Sequence, residues 1–290
     1  MITWLEPSPA LRSFVRWYVY INRAETAQHP VIPMLETRLA FYPRSAGRVF
    51  DHRLHGFDTV ARAAVIGPLT RRWVDLPPGG VDVFFAFFQP GGFRRLFGGD
   101  ASALADYAYP AADVIGPGVN TVLDRVEAAT RPQEMACALD GYLTTRLSGA
   151  GALHPVDRAA QALAAAHGGI HAWTLAARAG LGDRHFRRRF VQHAGMGPKH
   201  YAKVARFAFA LSLKTAYPSR TWAEVSQRAG YFDQMHLVKD FTSLTEAPPS
   251  RLISQIGPTG DDYFGPRPRD AEHVDPRLSD QGAAVVSVSY

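Results

Sequence analysis

The sequence predicts an α+β protein of two domains: a β-rich N-terminal half with accompanying helices, then an all-α C-terminal domain built on two helix-turn-helix units. Three observations carry this expectation. Short aromatic and β-branched runs broken by Pro and Gly fill the first hundred residues, helical periodicity takes over after Asn120, and one helix-turn-helix pattern occurs twice in the last third. A chain of 290 residues has room for two ordinary domains with their own cores.

Residues 14–21, 38–42 and 81–88 read as strands, because aromatic and β-branched side chains suit a pleated, half-buried surface. Breaks at Pro33, Pro43, Gly67-Pro68, 77–80 and 90–92 keep the strands short. Further on, Val122, Val126, Ala129, Met135, Leu139, Leu143 and Leu147 recur at helical spacing, and Arg131-Pro132 splits the pattern into two helices. Cys137 is the only cysteine, so the chain has no intrachain disulfide; it is expected as a small apolar side chain buried on the second of these helices.

Ser148-Gly149-Ala150-Gly151 is small and flexible, which places a domain boundary there. Residues 1–150 then form the first domain and 151–256 the second. Residues 257–290 form a tail rich in Pro, Gly and Asp, expected to hold little structure apart from a strand over 283–290. In the second domain, Pro155 suits the first turn of a helix ended by Gly168-Gly169, with Val156, Ala160 and Leu163 inward.

Charge changes at the same boundary. Residues 151–256 carry 14 Lys and Arg against 6 Asp and Glu, a net +8, whereas residues 1–150 are near neutral and 257–290 net −3. Such concentration fits a domain that neutralises phosphates, although charge alone does not separate nucleic acid from an acidic membrane surface. No apolar run approaches the roughly 18 residues of a membrane helix, and the N-terminus lacks the basic-then-apolar pattern of a secretory leader. A cytoplasmic protein with no membrane partner is expected.

The repeat lies in the basic segment. Leu175-Ala176-x-x-Ala179-Gly180 matches Val225-Ser226-x-x-Ala229-Gly230, and each copy continues into a helix with large inward residues four apart, Phe186 and Phe190, then Leu237 and Phe241. A helix-turn-helix needs this chemistry: a small residue to keep the helices close, a glycine for the tight turn, and an apolar stripe to pack back. Asp233 is placed to cap the second recognition helix, and Asp183 opens the first either as cap or as first-turn anion. With the Phe pair inward, a rotation of about 100° per residue puts Arg184, Arg187 and Arg188 outside. They are candidates for bidentate contacts to guanine or for phosphate contacts. The second helix exposes Gln234, Met235 and Lys239, suited to adenine, a thymine methyl, and guanine or phosphate respectively.

Residues 155–253 resemble the DNA-binding domain of the AraC/XylS transcription regulators. The likeness rests on the repeat itself, on Gly195-x-Gly197-Pro198-Lys199-x-Tyr201, on Arg206-x-x-x-Ala210 and Leu213, and on Ala229-Gly230-Tyr231-Phe232-Asp233-Gln234-x-His236-Leu237-x-Lys239-x-Phe241. Three positions depart from the family pattern: Gly182 replaces a common capping serine, Ser226 an alanine, and Glu246 the glycine that ends the second recognition helix. The resemblance implies two units joined by a long helix over 198–216, entering successive major grooves of double-stranded operator DNA. It also implies a regulator that contacts RNA polymerase if it activates, and that can pair as a homodimer.

Residues 1–147 look, more loosely, like the sensor half of such regulators, which implies a cupin-like β-barrel followed by helices. A barrel of that kind would enclose a small-molecule effector among Trp17, Phe41, Trp73, Phe85 and Phe87; the same aromatic residues also read as plain core. A cupin-type metal enzyme carrying a DNA-binding module, or a non-specific architectural DNA binder, are the alternatives. His52 and His55 lack a His-x-His or a suitably placed Glu, and no nucleophile elbow, Walker loop or dinucleotide motif occurs. The expectation is a non-enzyme with no metal and no cofactor.

Overall fold

The computed structural model describes residues 1–24, 28–44, 46–72, 74–76 and 79–256. The expected tail over 257–290 and the strand within it lie outside these, as does Trp73. The first half contains β1 (Ile2–Leu5), β2 (Val15–Arg23), β3 (His29–Pro30), β4 (Arg38–Phe41), β5 (Gly47–Asp51), β6 (Gly56–Val60), β7 (Ala63–Ile66), β8 (Val74–Leu76) and β9 (Val81–Phe88). It continues with α1 (Gly92–Phe97), α2 (Ala101–Leu104), β10 (Ala108–Pro110), α3 (Ala111–Ile115), α4 (Val119–Ala128) and α5 (Pro132–Thr144).

Among the described residues six strands form one sheet in the order β1-β2-β9-β4-β7-β10, and four form a second in the order β3-β8-β5-β6. The first sheet shows how alternation divides a strand between two environments. Tyr18, Phe84, Ala86, Phe88, Leu39 and Phe41 point to one face and pack with Val122, Val126, Leu139 and Leu143 of α4 and α5. Trp17, Val19, Ala40, Val83 and Phe87 point to the other, where they join Ile32, Met34 and core residues of the C-terminal helices in one cluster.

This arrangement corrects the expectation of a cupin-like barrel. Closure needs the first and last strands to pair, yet among the described residues β1 bonds only β2 and β10 bonds only β7, so the sheet is open. β10 is three residues long and ends in Pro110, which has no N–H to offer a further strand. The face a barrel would wrap around is covered instead by residues of the second half.

The α4–α5 break falls where Arg131-Pro132 predicted it. Pro132 opens α5, and Glu134 accepts the Thr130 N–H at 2.9 Å and the Arg131 N–H at 3.3 Å. Cys137 is exposed, which corrects its expected burial. Its sequence neighbours are apolar, but the inward arc of α5 runs through Met135, Ala136, Leu139 and Leu143 and leaves position 137 on the outer side.

The second half is helical: α6 (Pro155–Ala165), α7 (Ala172–Arg178), α8 (Asp183–Ala194), α9 (Pro198–Ala216), α10 (Trp222–Arg228), α11 (Gln234–Thr245) and α12 (Pro249–Ile256). The connector before α6 is pinned at Gly151, whose N–H donates to the Arg95 carbonyl at 2.8 Å and whose carbonyl accepts from Arg95 Nε at 3.0 Å.

α8 and α11 both end on a residue in the left-handed region, Gly195 at φ +76° and Glu246 at φ +60°. A side chain there clashes with its own backbone, a strain of roughly 1 kcal/mol. Glu246→Gly is therefore expected to stabilise the protein by about 0.5–1 kcal/mol, read as a raised denaturant midpoint at unchanged m value; a lowered midpoint would mean that the glutamate side chain contributes more than the strain costs.

Candidate nucleic-acid interface

The two repeat copies build matching units. In the first, Leu175 and Ala176 of α7 are buried, Gly180 takes φ +66°, and the Leu181 N–H donates to the Ala176 carbonyl at 3.0 Å. In the second, Val225 and Ser226 of α10 are buried, Gly230 takes φ +73°, and the Tyr231 N–H donates to the Ser226 carbonyl at 2.9 Å. Ser226 fits where alanine is usual because its hydroxyl bonds back to the Ala223 carbonyl at 2.8 Å, which leaves no buried donor unmet. Phe186 and Phe190 of α8, and Leu237 and Phe241 of α11, are fully buried. α9, 19 residues and about 28 Å long, packs against α8, α10 and α11 and so carries both units.

With those stripes inward, the six nominated residues are all exposed: Arg184, Arg187 and Arg188 on α8, Gln234, Met235 and Lys239 on α11. Asp183 is the first helical residue rather than the cap, and Gly182 caps without a side-chain bond. Asp183 instead pairs with Arg187 at 3.0 Å across one turn. Arg188 Nη2 lies 3.2 Å from His185 Nδ1. Arg184, Gln234 and Lys239 have no side-chain partner among the described residues. Asp233 caps α11 as expected, accepting the His236 N–H at 2.7 Å. Behind α11, Lys203 of α9 lies 3.3 Å from Asp240 and bonds Ser243, which fixes α11 to its support.

The first half holds the opposite ends of these helices. α2 packs on α8, and a Cβ added to Gly195 would fall 3.0 Å from Pro68 and 3.1 Å from the Ala101 carbonyl. His200 Nε2 donates to the Thr70 carbonyl at 2.8 Å, and the Arg72 N–H donates to the Leu244 carbonyl at the end of α11 at 2.8 Å. The stretch bearing these contacts is tied to the first half by Asp106, which accepts the Thr70 N–H at 2.7 Å and its hydroxyl at 2.6 Å.

A buried charge cluster joins the halves near α8. Asp157 of α6 has no exposure; it lies 2.7 Å from His193 Nδ1 of α8 and 3.3 Å from Arg94 Nη2 of α1. Burial pushes the Asp157 carboxyl up, but the His193 hydrogen bond, the His193 and Arg94 charges and the His154 N–H together hold it below the usual carboxylate range. Burial and the neighbouring His193 charge lower His154.

The nominated effector residues separate. Trp17, Phe85 and Phe87 share the sheet face that meets the second half, with ring centroids 6.2 Å (Trp17–Phe87) and 5.8 Å (Phe85–Phe87) apart. Phe41 points to the opposite face, among α4 and α5. A cavity of about 30 Å³ between the halves is lined by other residues, among them Glu36, Arg94, His193 and Tyr201.

Sequence reasoning missed Arg38. It stands in one cross-strand row with Trp17, Phe87 and Ile66, on the face of Trp17. It is 4% exposed; among the described residues Nη1 donates to Met34 Sδ, and Nε and Nη2 have no partner. Burial lowers the guanidinium to about 10, opposed by the charge of Glu36, which is itself paired with Arg16 at 2.9 Å. The available signal was an arginine at an inward position of an otherwise apolar strand.

His52 lies 3.2 Å from Asp75, and no group of three or more His, Cys, Asp or Glu able to hold a metal occurs among the described residues. Nor is any described helix long and apolar enough to cross a membrane.

Comparison with known proteins agrees with the doubled unit. A helix-turn-helix domain family matches residues 175–255, and a domain of unknown function, DUF6597, matches residues 4–110. No curated protein matches the chain. Among solved structures, an apo ToxT variant from Vibrio cholerae strain SCE256 is 9% identical with a TM-score of 0.51, over 87% of this chain and 100% of that one. A second structure of ToxT from Vibrio cholerae is 9% identical with a TM-score of 0.49, over 82% and 99%. The first likeness is one of fold, and it spans both halves of the chain.

Proposed function

We propose that this chain is a sequence-specific DNA-binding transcription regulator whose N-terminal half responds to a small molecule. One observation carries the DNA-binding part: two helix-turn-helix units on a common helix turn Arg184, Arg187, Arg188, Gln234, Met235 and Lys239 outward. They do so in the segment that holds a net +8. Arginine in this position suits guanine O6 and N7 or phosphate, and glutamine suits adenine. Selection of duplexes from a random pool by the full chain tests it. A regulator enriches one sequence and prefers it over scrambled duplex by roughly 10³ or more at physiological salt; equal affinity for both would favour an architectural binder.

The effector part is supported by the face that carries Trp17, Phe85 and Phe87 beside the buried guanidinium of Arg38, whose Nε and Nη2 have no partner among the described residues. An effector with an acidic group would supply the acceptor that Arg38 lacks. In its absence the buried cation is a cost, so Arg38→Leu is expected to raise stability by about 1 kcal/mol while abolishing any response to an anionic ligand. Thermal unfolding measures the first effect; a lowered Tm would mean that the guanidinium is already satisfied.

A further inference from the structure

Aligned on their caps, the two units differ by one residue. Between α7 and α8 the turn runs over residues 179–182, and between α10 and α11 over residues 229–233. Each turn first sets an apolar anchor, Leu181 or Tyr231, whose N–H closes back on the preceding helix. The first unit then passes directly to its cap, Gly182, whereas the second inserts Phe232 before its cap, Asp233. The inserted side chain is 92% exposed and so contributes nothing to the core; Met235, one turn along, is 73% exposed.

Two large apolar side chains therefore stand in water at the mouth of the second recognition helix, while the corresponding part of the first carries Gly182 and Arg184. Neither phenylalanine nor methionine makes a strong hydrogen bond, and the apolar group that a base pair presents in the major groove is the thymine 5-methyl. We propose that Phe232, together with Met235, reads thymine methyl groups, so that the operator is asymmetric, with the thymine-reading half under α11 and the guanine- or phosphate-reading half under α8. The proposal rests on the DNA-binding reading above.

The test uses the full chain and the duplex it selects from a random pool. Each thymine of that duplex is replaced singly by deoxyuridine, which removes only the methyl, and Kd is measured by fluorescence anisotropy. At one or two positions the replacement is expected to weaken the unaltered protein about three- to fivefold, the scale of one buried methyl. At one of those positions Phe232→Ala should bind both duplexes alike, and Phe232→Leu should recover part of the discrimination there. The side chain is outside the core, so these variants keep the fold. Indifference of the unaltered protein at every thymine, or undiminished discrimination by both Phe232→Ala and Met235→Ala, would overturn the proposal while leaving the DNA-binding reading intact. Failure to select any sequence would overturn both.

Discussion

Replacing Arg184 and Arg188 together by alanine should weaken binding to the selected duplex on the order of a hundredfold or more, since one bidentate base contact is worth about 1–3 kcal/mol. Both side chains are exposed, and neither is held by a carboxylate among the described residues. Their loss should leave stability within about 0.5 kcal/mol. Arg187 is expected to matter less, because its pairing with Asp183 already engages the guanidinium in an exposed ion pair. Titration against scrambled duplex divides the effect by cause. Loss confined to the selected sequence assigns the residues to bases; equal loss on both, with a shallower salt dependence, assigns them to phosphates. A change under threefold on either duplex would remove α8 from the interface.

The second large effect concerns Asp157. Replacing it by alanine leaves His193 without its acceptor, Arg94 without its carboxylate and the His154 N–H unpaired. Removing one member of a buried charge cluster costs about 3–5 kcal/mol; Arg94 is partly solvated, so a value near 3 kcal/mol is expected. The pH dependence follows from the lowered carboxyl pKa. In the folded protein the group takes up its proton at lower pH than in the unfolded chain. Its contribution is therefore present above the unfolded value, about 4, and fades as pH falls through the folded one. Denaturant titrations at neutral pH and near pH 3 should show the gap between the original protein and Asp157→Ala narrowing in acid. A gap that stays constant would mean that packing, not charge, is what the alanine removes.

How much of this was legible in the sequence depends on the range of the interactions concerned. The helix-turn-helix units are local: Leu175, Ala176, Gly180 and Phe186 lie within one short stretch, and spacing alone fixes which faces turn inward. The strand over residues 81–88 was equally plain from its composition. Whether that strand ends up in a barrel or an open sheet depends on partners far along the chain, and Phe84 alternates with Phe85 identically in both. The hairpin of β5 and β6 left little trace, because Arg48, Asp58 and Thr59 make it polar. Cys137 shows the converse error, in which apolar neighbours outweighed helical phase. For the effector residues, the barrel implied by the resemblance brought Trp17, Phe41, Trp73, Phe85 and Phe87 together; Trp73 lies outside the described residues, and strand register puts Phe41 across the sheet from the others and brings Arg38 to them instead.

One stretch of the first half, from Pro68 to Arg72, reaches the end of α8, the start of α9 and the end of α11. Like the crossbar of a caliper, it touches both jaws, the end of α8 and the end of α11. Were the two units to bind a duplex as proposed, the pitch between them would be gauged by residues outside the proposed contact set, and operators would be expected to be selected on the separation of their halves as well as on their bases.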